Sequence, residues 1–165
     1  MIKAKVVTPL LLVFLMGCSS TNSSDRSSVI NWAKQIASLE KRLENEITQA
    51  QPLMNKITSR PPTRSELDEL TGYSNNVTSL YNEIINIEPP SEAKSVHSQF
   101  VDSYAKSADY LRYYVIAIKQ NDLSYFDKSV IAAQEANRIG EQAHSALEDL
   151  LNRYSISCEE INFCE

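Results

Sequence analysis

The sequence predicts an all-α protein, an antiparallel up-down four-helix bundle of long helices followed by a short C-terminal tail. Three observations carry this. The 165 residues hold only three glycines, too few for the many turns of a sandwich or barrel. Apolar residues recur at helical spacing from Val29 to Leu151. Breaks at Pro61-Pro62, Pro89-Pro90 and Asn121-Asp122 divide that run into four segments, with links short enough to force antiparallel neighbours. A three-helix core with a looser first helix, or a bundle completed by a partner chain, satisfies the same pattern.

The first segment has the longest seam. Val29, Ile36, Leu43, Ala50 and Ile57 fall every seventh residue, with Trp32, Leu39 and Leu53 on the alternating positions and Glu46 as the one break. Ser28 is the expected N-cap, and Pro52 predicts a kink or break near the end. Thr63-Arg64-Ser65-Glu66 matches a capping box and opens the second segment. Its stripe is Leu67, Leu70, Val77, Leu80, Ile84 and Ile87, and Gly72 weakens its first turns.

Ser91-Glu92 opens the third segment, whose stripe runs Ala93, Val96, Phe100, Tyr104, Ala108, Leu111, Val115 and Ile118. Asp122 caps the fourth, which carries Phe126, Val130, Ala133, Gly140, Ala143, Leu147 and Leu151. At about 1.5 Å per residue, each helix is about 40 Å long.

The N-terminus is of a different kind. Lys3 and Lys5 precede the apolar stretch 6–16, which is too short to cross a bilayer. It ends in Leu15-Met16-Gly17-Cys18. These residues resemble the lipobox of bacterial lipoproteins, an aliphatic residue followed two positions later by a small one and then cysteine. The resemblance covers the signal only. It implies that residues 1–17 are removed and that Cys18 receives a diacylglycerol, with further acylation of the new amine. Several acyl chains, at about 0.8 kcal/mol per buried methylene, make a firm anchor.

Residues 18–28 then form a polar tether, 29–154 the bundle and 155–165 the tail. Ser19, where an Asp would direct otherwise, implies the periplasmic side of the outer membrane if the source is Gram-negative.

Charge narrows the partners. The chain carries a net −5, and without Lys3 and Lys5 the remainder carries −7. Such a surface repels phosphate backbones, so nucleic acid is not an expected partner. The lipid is the expected membrane contact.

Cys158 and Cys164 lie beyond the fourth helix. In an exported chain this spacing predicts a disulfide that pins the tail, with reactive or metal-binding thiols as the alternative. A Cys-x-x-Cys redox spacing is absent.

The chemical candidates are few. His97 and His144 stand at similar distances from the third turn and near inward faces. A metal held between them, with Glu92, Asp102 or Glu148 as oxygen ligands, is the candidate this spacing offers, without an accompanying Glu-x-x-His repeat. Tyr110, Tyr113 and Tyr114 cluster on the third helix, either as a binding patch or as rings filling seams with wet hydroxyls. The charges around Glu40 read as a solvated face. No Walker, Rossmann or nucleophile-elbow motif occurs, and no cofactor is expected.

The resulting expectation is a membrane-anchored, non-enzymatic module in the bacterial cell envelope that binds a protein partner or scaffolds an assembly. The alternative is a sensor holding a small molecule or metal between its helices.

Overall fold

The structure, a computed structural model, describes residues 23–163. Four helices account for most of them: α1 (Ser23–Ser59), α2 (Arg64–Ile84), α3 (Lys94–Gln120) and α4 (Leu123–Arg153). Single 3-10 turns precede α3 (Ser91–Ala93) and follow α4 (Glu159–Ile161), and there is no strand among the described residues.

Local chemistry explains most helix ends. At α2 the Thr63 hydroxyl accepts from the Glu66 amide at 3.3 Å, and the Glu66 carboxylate accepts from the Thr63 amide at 2.8 Å. The same carboxylate pairs with Lys56 and Arg60, so one acid joins the end of α1 to the start of α2. Asp122 caps α4 by accepting from the Ser124 amide at 2.9 Å. Asn121 closes α3 in the left-handed region at φ 50°, a conformation that asparagine tolerates.

Two ends differ from expectation. α1 already includes Ser23, the first described residue, so Ser28 lies inside the helix and does not cap it. The residues ahead of Ser28 are held by charge: the Arg26 guanidinium donates to the Tyr154 carbonyl at 3.2 Å, the Ser155 carbonyl at 3.1 Å and Glu160 at 2.9 Å. α1 also runs unbroken through Pro52 to Ser59. The proline removes only the bond to the Thr48 carbonyl. Leu53, Met54 and Ile57 beyond it stay buried and hold the last turns in place.

The core is built differently at its two ends. Near the tail all four helices contribute: Trp32 and Ile36 from α1, Leu80 and Ile84 from α2, Phe100 and Tyr104 from α3, and Leu147 and Leu150 from α4. At the other end Met54, Ile57, Leu70, Val77, Leu111 and Tyr114 make a core of α1, α2 and α3, and α4 adds only the half-buried Phe126.

The reason lies in how α4 meets α3. Ser129 and Ser103 donate hydroxyl bonds across the pair, to the Tyr110 carbonyl at 3.0 Å and the Ala136 carbonyl at 3.1 Å. A Cβ on Gly140 would stand 3.3 Å from the Ser103 hydroxyl. Small residues let the two backbones approach closely, so α4 buries Ser129, Ala132 and Ala136. Val130 of the predicted stripe is left 56% exposed, beside Leu123 at 76% and Ile131 at 59%.

Cross-helix bonds follow a consistent register. Arg42 meets Glu83 and Glu46 meets Asn76 between α1 and α2. Trp32 meets His97 and Met54 meets Tyr114 between α1 and α3.

Two truncations separate these roles. Leu147→Ala, at a fully buried position, is expected to cost about 2–5 kcal/mol in urea unfolding. Val130→Ala is expected to stay within about 0.5 kcal/mol of the parent, against the order that the sequence stripe suggests. Thr63→Ala is expected to cost about 1 kcal/mol in the same measurement through loss of the cap.

Candidate functional site

Between α1 and α4 a cleft of about 350 Å³ opens. Glu40, Glu44 and Thr48 of α1 form one wall, and Asn137, Glu141 and His144 of α4 the other. Leu43, Ile47, Ser103 and Ser107 lie at the base. Gly140 and Ala136 leave the space that larger residues on α4 would fill.

His144 closes the end nearer the tail. Its Nε2 lies 2.8 Å from the Glu40 carboxylate, with the rings of Phe100 and Phe163 each 5.5 Å away. The Glu40 hydrogen bond raises the imidazole pKa from its ordinary 6.5, burial opposes the rise, and the charges of Glu40 and Glu148 add to it.

Behind the pair, the Tyr104 hydroxyl is buried without a hydrogen-bond partner of good geometry. Burial, and then the Glu40 carboxylate, push its ionisation far above the ordinary range. The hydroxyl therefore stays protonated.

The two histidines have separate partners. His97 is buried, and its Nδ1 accepts from Trp32 Nε1 at 3.3 Å, which leaves the ring proton on Nε2. Burial lowers its pKa. Among the described residues no group of three or more His, Cys, Asp or Glu side chains is arranged to hold a metal ion. Glu92 bonds Ser91 instead.

The tyrosine cluster divides. Tyr114 is buried and donates to the Met54 carbonyl at 3.0 Å, and the half-buried Tyr110 hydroxyl reaches the Met54 sulfur at 3.4 Å. Tyr113 is also half-buried, tilted against Tyr125 of α4 at 6.0 Å with the Arg112 guanidinium 4.9 Å from its ring. All three rings pack against a neighbouring helix, Tyr110 and Tyr114 on α1 and Tyr113 on α4.

Cys18 and Cys164 lie outside the described residues, and Cys158 stands just before the last 3-10 turn. Sequence reasoning missed Glu40 and Tyr104 as members of a site. Glu40 lies four residues after Ile36 and three before Leu43, on the flank of the α1 seam, a spacing that the reading of these charges as a solvated face passed over. No known protein family, curated protein or solved structure matches the chain.

Opposite shifts of the two histidines give a testable pH response. The folded pKa of His144 is raised, so its contribution is complete below the unfolded value and is lost as pH climbs through the folded one. For His97 the folded pKa is depressed, so acidification through the unfolded value destabilises the fold. In an NMR titration of the ring protons, His144 is expected to titrate above His97. Glu40→Gln should lower the His144 transition and leave that of His97 in place.

Proposed function

We propose that the chain is a lipid-anchored envelope protein whose helical domain, an antiparallel bundle, binds a protein partner outside the cytoplasm. The observation that carries the address is the N-terminal pattern, Lys3 and Lys5, an apolar stretch and Leu15-Met16-Gly17-Cys18. The paired contacts support the antiparallel order: positions ascend in α1 as they descend in α2, and ascend in α3 as they descend in α4. The tail folds back so that the Phe163 amide donates to the Cys158 carbonyl at 3.0 Å. That turn supports a disulfide between Cys158 and Cys164 in an oxidising compartment.

Exposed Leu123, Val130 and Ile131, grouped on the first turns of α4, support a protein contact there. With the anchor attached ahead of Ser23, this surface belongs to the end of the bundle away from the membrane. Arg26 binds the tail at the anchored end, so a pull on the lipid would be shared by α1 and the residues after α4.

Binding rather than catalysis also fits the cleft. The Ser103 and Ser107 hydroxyls donate to the carbonyls of Ala136 and Ser103, and so are not aligned for deprotonation by His144. The cleft itself favours a second reading, a small molecule held between α1 and α4, in the size range where such ligands bind.

Mass spectrometry of the protein extracted from membranes tests the address. The expected mature chain begins at Cys18 with diacylglycerol on its sulfur, and Cys18→Ser should leave an unlipidated chain. An intact Met1 or a bare Cys18 thiol in the wild type contradicts the proposal.

A further inference from the structure

Of the four large apolar side chains exposed among the described residues, Leu123, Val130 and Ile131 share the first turns of α4. The fourth, Ile85, sits at the end of α2. The face that α4 turns to α3 is built of Ser129, Ala132 and Ala136, so its larger side chains are left outside. Val130 and Ile131 are 56% and 59% exposed although they lie well inside the helix. Apolar groups gathered on one exposed face mark a contact surface.

The charges around them follow a pattern. Asp127 lies three residues before Val130 and four before Ile131, and Arg138 seven after Ile131, so both stand on the same face. Lys128 and Glu135, three before and four after Ile131, flank it on one side. None of the four is buried. Asp127 has no ion-pair partner among the described residues. Arg138 reaches Glu135 at 2.8 Å, and the Lys128 ammonium lies 4.3 Å from the centre of the Tyr125 ring.

These charges are arranged in opposite order on the two sides of Ala132. Acid and base before it, Asp127 and Lys128, are answered by base and acid after it, Arg138 and Glu135, at nearly equal distances. Turned end for end about that level, a second α4 presents Arg138 to Asp127 and Glu135 to Lys128, each twice. Val130 and Ile131, within two residues of the axis, then meet their own copies. Laid parallel, the same face opposes like charges. A surface complementary to itself in antiparallel order is what a twofold contact requires.

Charge also favours a second copy over a foreign chain of strong charge. Without Lys3 and Lys5 the chain carries −7, so copies repel over most of their surface, and a basic partner is drawn to the excess acid. Between Leu123 and Arg138 the two acids and two bases cancel, so neither effect operates there.

We propose that the outward face of α4 binds the same face of a second copy of this chain, antiparallel about a twofold axis at the level of Ala132. Val130 and Ile131 form the dry centre, with the Asp127–Arg138 and Lys128–Glu135 pairs as its rim. A face of about three helical turns is small beside the roughly 1,200–2,000 Å² of a stable complex, so the pair exchanges readily with monomer. This inference rests on the protein-binding reading and names the partner.

Sedimentation equilibrium of the full-length protein, density-matched in a non-ionic detergent with many micelles per chain, reads the association free of shared micelles. A reversible monomer–dimer equilibrium is expected. Ile131→Glu, at an exposed position, is expected to weaken it about tenfold or more, with an unchanged circular dichroism spectrum. Asp127→Lys alone and Arg138→Asp alone, each acting twice by symmetry, are expected to weaken it about tenfold. The two together are expected to restore the parental constant within about threefold. A protein that stays monomeric up to millimolar concentration, a dimer indifferent to Ile131→Glu, or single reversals that the double variant does not repair would overturn the proposal. A photocrosslinking residue in place of Ile131, activated in the envelope, tests the broader reading separately. Adducts between two copies are expected. Adducts with another protein alone overturn the second copy and leave the protein-binding reading standing, whereas no adduct of any kind overturns both.

Discussion

The structure depends on the close approach of α3 and α4. Ser103, Ser129, Ala132, Ala136 and Gly140 carry so little side chain that the two backbones come within reach of each other's carbonyls. A helix so committed to one neighbour cannot also lie flat on a third. α4 therefore shares the core with α1 only towards the tail, where Leu147 and Leu150 reach the Trp32 and Ile36 cluster. Further along it leaves α1, and the space between them becomes the cleft.

The same constraint determines what holds the open side together. At the tail end Arg26 binds the carbonyls of Tyr154 and Ser155 and the carboxylate of Glu160, while Ile156 and Ile161 enter the core. The Glu40–His144 pair lies where closed packing gives way to the cleft. It has one titratable cation among several acids, so its strength varies with proton concentration in a way that the apolar layers do not. Fixed packing at one end and an adjustable contact beside the cleft are properties that a binding module can use.

How far this was legible depended on the range of the interaction. The capping box at Thr63 and Glu66 and the cap at Asp122 are local, and residue type with spacing is enough to find them. The α1 seam was legible because apolar residues repeat every seventh position and face partners. The start of α1 was not, because Arg26 finds Glu160 across 134 residues. The α4 stripe was misread at Val130 because apolar size was taken as the sign of burial, whereas a close helix pair selects for small residues regardless of polarity, serine included. Glu40 and Tyr104 were separately visible, one among charges and the other within a stripe, but only the packing of α1 on α3 brings carboxylate and hydroxyl together.

In this arrangement the first half of α4 belongs to α3 and stands apart from α1. Nuclear Overhauser contacts from methyl groups test it most directly. Contacts are expected from the Ala132 and Ala136 methyls to α3, with none from the Val130 methyls to α1. Contacts from Val130 to Ile47 or Leu53 would show four helices closed along their whole length, and would contradict both the cleft and what is proposed to bind there.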